Sequence, residues 1–156
     1  MKKIYKSTVG GFKIVKDKNA PIIQKVAIGG SSDSAKVALS LYTDDDVDVL
    51  ESMRVVLLNQ RNILVGHSLI SKGGISSTTC DIRMIAKIAL ETLATGVILV
   101  HNHPSGATSP SQVDIDITRR IKEALSLLDI RLLDHIILTS ASGAYYSFAD
   151  QGVVIY

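Results

Sequence analysis

An α/β fold, in which a mixed β-sheet is flanked by helices, is what this 156-residue sequence predicts. Three observations carry the prediction. Stretches with helical apolar spacing alternate with short, β-rich apolar segments, the order that layered α/β domains require. One segment, residues 97–100, is continuously apolar, as a strand buried on both faces is. With 46% hydrophobic and 21% charged residues, a chain of this length makes one ordinary domain that buries roughly 70% of the surface it exposes when unfolded.

The elements follow in order. Residues 1–30 read as an extended or loosely structured N-terminal extension, broken by Gly10 and Gly11 and too short for a second domain; residues 31–156 form the domain itself. Gly29 and Gly30 lead into Ser31, Ser32 and Asp33, all N-cap residue types. Ala35, Val37, Ala38 and Leu41 then recur at helical spacing and predict a helix over 33–42. The acidic run Asp44, Asp45, Asp46 and Asp48 carries the chain to Glu51. Residues 53–58 and 63–70 flank a polar turn at 59–62, which predicts a hairpin ended by Gly73 and Gly74. Thr78 and Asp81 resemble a capping box for a second helix, whose apolar stripe of Ile82, Ile85, Ala86, Ala89 and Leu93 stops at Gly96. The strand at 97–100 follows and Pro104 ends it. Ser109 as cap, Pro110 at the first helical position and Gln112 as capping-box partner open a third helix through Val113, Ile117, Ile121 and Leu125, ending near Leu128. Two more strands, 131–139 and 144–148, flank a turn at Ser142 and Gly143.

Composition excludes several classes. Cys80 is the single cysteine, which rules out an intramolecular disulfide, a multi-cysteine zinc cage and a CxxC redox pair. A reducing cytoplasm is the expected compartment. The amino terminus alternates lysine with apolar residues and lacks the apolar core of a secretory signal. No apolar run approaches the ~20 residues of a membrane span. Seventeen basic and fifteen acidic side chains leave a formal charge of +2. The lysines are dispersed, so charge gives no argument for nucleic-acid binding.

The chemistry lies at the end of the apolar strand. In His101-Asn102-His103 the two imidazoles, two residues apart, share one face of the strand, and Asn102 points to the other. Eleven positions past His103 comes Asp114, in the first turns of the third helix, with Pro104, Gly106 and Pro110 shaping a connection short enough to fold its carboxylate back over both histidines. Such a His-x-His spacing alone also fits two hydrogen-bonded structural histidines. Two neutral imidazoles, one carboxylate and a position left to water match a catalytic zinc site, where the bound water's pKa falls to about 7. Glu51 either continues the solvated acidic run or opens a strand pointing into the cleft. Ser111 lies where serine commonly caps a helix, but the spacing of Ser109 to Gln112 makes Ser109 the better cap and leaves Ser111 for the site. His135, beside Asp134, reads as structural; His67 reads as an edge-strand or surface residue. Cys80 reads as a small buried hydrophobe.

These residues resemble a known family. His101-Asn102-His103-Pro104-Ser105-Gly106, then Pro110-Ser111, then Asp114, with Leu133-Asp134-His135 downstream, is similar to the RadC-like branch of the JAMM (JAB/MPN) metal-dependent hydrolases, over about residues 51–153. The resemblance implies a cytidine-deaminase-like α/β fold with His101, His103 and Asp114 as zinc ligands. It implies Glu51 as the group that handles the proton of the attacking water, Ser111 as a donor to the developing oxyanion, and at most an outer supporting role for His135. At the second helix's entry Cys80-Asp81-Ile82-Arg83 departs from the aromatic-Pro-Arg stretch of many relatives and keeps only the arginine. Longer relatives also carry an amino-terminal module resembling helix-hairpin-helix DNA-binding domains, which residues 1–30 are too few to encode.

The expected function is a zinc-dependent hydrolase that cuts an amide or isopeptide bond of a peptide or protein substrate. The alternatives are a DNA-repair-associated protein without peptidase activity, the traditional label of the RadC-like branch, and a metal-dependent nuclease. A zinc nucleobase deaminase is excluded, because its H-x-E and P-C-x-x-C pair do not occur here.

Overall fold

The computed structural model describes residues 26–42, 48–73, 80–107, 109–139 and 143–155. The elements are α1 (Ser31–Ser40), β1 (Ser52–Leu58), β2 (Leu64–Lys72), α2 (Ile82–Glu91), β3 (Gly96–Asn102), α3 (Gln112–Ser126), β4 (Arg131–Leu138) and β5 (Tyr145–Ser147). One five-stranded sheet has the order β2-β1-β3-β4-β5. β1 pairs antiparallel with both β2 and β3, β3 pairs parallel with β4, and β5 closes antiparallel against β4. The mixed α/β architecture therefore agrees with the expectation from sequence.

Alternation along the central strands builds two cores. Met53, Val55, Leu57, Val97 and Leu99 face α2 and α3, meeting Ile85, Ala89, Ile121 and Leu125. Val56, Leu58, Ile98 and Val100 face the other way, onto Ala35, Val37 and Ala38 of α1. Burial on both sides explains why β3 reads as an unbroken apolar run. The hairpin turn is organised by Asn59, whose side-chain oxygen accepts from the amides of Arg61 and Ile63. His67 lies exposed on β2, an edge strand, as expected.

Several boundaries differ from the sequence reading. α1 starts two residues early with Gly30 as its cap, and Asp33 acts from inside the first turn by accepting from the Gly29 amide at 3.0 Å. Asp81 itself caps α2 by accepting from the Arg83 amide; Thr78, its expected partner, lies outside the described residues. α2 also ends earlier than the apolar stripe predicts. The amides of Leu93 and Ala94 bond back to Leu90 and Ala89, the hydrogen-bond pattern of a Schellman close, and Leu93 takes a left-handed φ of 53° that leaves it 74% exposed. Gly96 is thus the first residue of β3, and a Cβ there would sit 2.7 Å from Leu133 Cδ1. Residues 1–25, the acids Asp44 to Asp46, Gly74 and Ser142 lie outside the described residues. Among those described, no helix is long and apolar enough to cross a membrane.

Candidate metal centre

The register of the sheet assembles the site. Met53 of β1 stands opposite His101 of β3, so the antiparallel run brings Glu51, just before β1, to the carboxyl end of β3. His101 lies on the same face of β3 as Val97 and Leu99, under α3, and Asn102 on the α1 face, because successive strand residues alternate. Parallel β3 and β4 are joined through α3, and the site occupies the connection that leaves β3. This is the end of the strands where open α/β sheets bind their ligands.

Side chains converge closely there. Glu51 Oε1 lies 2.8 Å from His101 Nε2. Asp114 Oδ1 lies 3.7 Å from His101 Nε2, and Asp114 Oδ2 lies 3.4 Å from His103 Nε2. One ligand atom each from Glu51, His101 and His103 falls within 4.8 Å of the others. The imidazole rings are 5.0 Å apart and perpendicular. The five residues singled out in the sequence therefore meet in one place, with Ser111 bonded to Asp114.

The donor set suits a cation. His101 Nδ1 lies 3.1 Å from the carbonyl of Ser52 and His103 Nδ1 lies 3.1 Å from the carbonyl of Ala107. A carbonyl only accepts, so each Nδ1 carries a proton; Nε2 holds a second proton when it bonds a carboxylate, as in the His103–Asp114 pair, and in the neutral ring it presents a lone pair toward the cluster. This is the tautomer in which metal-binding histidines are held by an outer hydrogen bond. His101 Nε2 is buried and makes no hydrogen bond, even with Glu51 so near. A divalent cation would supply what that orphaned nitrogen lacks.

Helix α3 fixes the carboxylate. Ser111, not Ser109, is its N-cap: Ser111 Oγ accepts from the Asp114 amide, and Asp114 Oδ2 accepts from the Ser111 amide at 2.8 Å and from Ser111 Oγ at 2.6 Å. The reading that frees Ser111 by assigning the cap to Ser109 is corrected, since Ser111-x-x-Asp114 forms the reciprocal box. Burial works to raise the Asp114 pKa. Hydrogen bonds from His103 and Ser111 and the nearby His101 outweigh it and hold the carboxyl below the usual carboxylate range. Burial lowers the pKa of His101 against the opposing charges of Asp114 and Glu51, while the hydrogen bond with Asp114 raises that of His103.

Beneath the cluster, Thr118 joins α3 to β4. Its hydroxyl donates to the Asp114 carbonyl and lies 2.7 Å from His135 Nδ1. Thr118 was not singled out in the sequence; its position four residues past Asp114, on one helix face, is the signal that finds it. His135 is fully buried and stacked on Phe148. Asp134 turns to β5, accepting from Ser147 Oγ and the Ala149 amide. Cys80 packs half-buried against the core, where burial first and Asp81 second push its thiol up to about 11 and favour the protonated thiol at neutral pH.

A mixed sheet carrying two histidines and two carboxylates at a strand's carboxyl end defines an α/β domain with a candidate metal centre. The model of one family, described as the RadC-like JAB domain, matches residues 29–153, and the chain belongs to that family. It is 48% identical over 103 residues to a UPF0758 protein of Flavobacterium johnsoniae, covering 66% of this chain and 44% of that one. It is 46% identical over 104 residues to a UPF0758 protein of Porphyromonas gingivalis, covering 67% of this chain and 45% of that one. The UPF0758 protein YfjY of Escherichia coli matches at 46% over 104 residues, covering 67% of this chain and 64% of YfjY. The aligned part thus spans less than half the length of the first two relatives.

Proposed function

We propose that this domain is a zinc-dependent hydrolase that cleaves an amide or isopeptide bond in a peptide or protein substrate, acting in the cytoplasm. The observation that carries the reading is the pair of imidazoles tied at Nδ1 to main-chain carbonyls, whose Nε2 atoms converge with two carboxylates. His101, His103 and Asp114 would hold the ion. Zinc bound there supplies Lewis acidity, which polarises a carbonyl and lets a water lose its proton near neutral pH.

The chain's own residues supply the rest. Glu51, about one-third exposed on its side chain and 2.8 Å from His101, is open enough to meet a water and takes its proton, then returns it to the leaving nitrogen. A positioned carboxylate of this kind contributes typically 10²- to 10⁴-fold in rate. Ser111 Oγ donates to the oxyanion that develops on the substrate carbonyl, exchanging its bond to Asp114 for that role. The Ser111 amide, which still donates to Asp114 Oδ2, keeps the carboxylate from swinging away while this happens.

Zinc-loaded protein assayed on a library of fluorogenic peptides and isopeptides tests the reading. Wild type is expected to turn over at least one member, and Glu51→Gln to keep its zinc while losing about a hundredfold or more in turnover. A Glu51→Gln variant with zinc retained and full turnover overturns the mechanism.

A further inference from the structure

We infer that Asn102, the residue between the two histidines, is the positioning residue for Glu51. The inference rests on the proposed role of Glu51 at the metal centre. Its ground is a bracket that only one side chain completes. Asn102 Nδ2 donates to the Leu50 carbonyl at 2.9 Å, and Asn102 Oδ1 accepts from the Ser52 amide at 2.8 Å. Those two groups belong to the peptide units on either side of the Glu51 Cα, so one amide grips the backbone of Glu51 from both directions.

The register explains why a side chain is needed. The ladder between β1 and β3 ends at Met53 and His101. One step further, Ser52 faces Asn102, and there the Asn102 amide takes the place of a backbone partner. Ser52 Oγ also donates to Asn102 Oδ1 at 3.0 Å, and it lies 3.1 Å from the hydroxyl of Tyr42. From the other face of the sheet, His101 Nδ1 donates to the Ser52 carbonyl. The carbonyl of Glu51 accepts from the Gly73 amide at 2.9 Å. Neighbouring residues of β3 therefore serve the centre from opposite sides: His101 faces the cluster, and Asn102, fully buried on the α1 side, holds the start of β1 so that Glu51 reaches it.

The chemistry selects asparagine. The position needs a donor for Leu50 and an acceptor for Ser52, and a carboxamide carries both. An aspartate offers acceptors alone and buries a charge; an aliphatic residue strands two buried main-chain groups at a cost in local order. With the bracket gone, residues 50–52 fray from β3 and the Glu51 carboxylate loses its place 2.8 Å from His101.

The test is a double-mutant cycle read by cobalt(II) binding to the full chain, followed through the ion's visible absorption. Outer partners of a metal site typically set 10- to 100-fold in affinity. Glu51→Gln is expected to hold cobalt still at excess metal, but with about tenfold lower affinity and a changed spectrum, and Asn102→Ala to do the same. The combined variant should be within about twofold of Glu51→Gln alone, because Asn102 acts through Glu51. Asn102→Thr, suited to a strand, gives the same reading if the alanine variant does not fold. Effects that add, or an Asn102 variant that binds cobalt as wild type does, overturn the inference and leave the function standing. A wild type that takes up no cobalt overturns the proposed function and this inference with it, whereas a Glu51→Gln variant that matches wild type in cobalt affinity and spectrum overturns this inference alone.

Discussion

His135 shows how much a single buried ring does beneath the centre. Its Nδ1 meets Thr118, which meets the Asp114 carbonyl, and its Nε2 has no hydrogen-bond partner. Burial is the main cause that pushes its pKa down from 6.5 to about 3, so the folded chain keeps it neutral where the unfolded chain binds a proton. Stability is therefore lost as pH falls from 6.5 toward 3, at up to about 1.4 kcal/mol per pH unit for one such group. His101, also lowered, adds a slope of the same sign. His103, raised by Asp114, opposes both, since its contribution is present below 6.5 and lost as pH rises through its folded value. Urea unfolding of metal-free protein is expected to show lower stability at about pH 5 than at about pH 7, and His135→Gln should flatten that slope by about one group's worth. An unchanged slope would mean that His135 is not held neutral. The sequence reading of Asp134-His135 as structural agrees with this burial. The bond from Thr118 to His135 was not legible, because it joins a helix to a strand that only tertiary packing sets side by side.

Helix α3 bears the clearest divergence between pattern and packing. Ser109-x-x-Gln112 matches the local capping signature and Ser111-x-x-Asp114 a looser form of it; the local pattern favours the first but does not settle the cap. The fold does, because only the second places the Asp114 carboxylate beside His101 and His103 while its Oδ2 still accepts from the Ser111 amide. α2 diverges for a different reason: its apolar stripe continues through Leu93, but the main chain has already reversed there. Periodicity sees side-chain type and is blind to the sign of φ. The dual engagement of Ser111 leads to a prediction that separates its two roles. Ser111→Ala should cost about 1 kcal/mol in unfolding free energy as well as activity, whereas Ser111→Asn, an equally good cap, should preserve stability and lose activity alone. Chemical denaturation of both variants checks it; an alanine variant as stable as wild type would show that the box contributes nothing to the helix.

Assembly of the centre belongs to the sheet as a whole. Fifty positions separate Glu51 from His101. Each could be read as sitting at the end of a strand, but not that β1 pairs with β3, nor that Met53 meets His101. His101, His103 and Asp114 were legible because one strand end and one helix start, joined by a short connection, carry all three. The long-range partner and the Asn102 bracket depend on pairing that no local signal encodes. A cation at this point would tie β1 to β3 and α3, and β1 lies far from both in the unfolded chain. Binding restricted to the folded state stabilises it by about 2.7 kcal/mol at a hundredfold excess over the dissociation constant. For a chain of this size that is a rise of about 5 to 10 °C in the unfolding midpoint. Zinc added to chelator-treated protein should therefore raise Tm by that amount, with the rise growing as the logarithm of free zinc. His103→Ala should abolish the rise, since it removes an Nε2 donor, while Glu51→Gln should keep about half of it. A midpoint indifferent to zinc in wild type would mean that the two histidines and their carboxylates hold one another and not an ion.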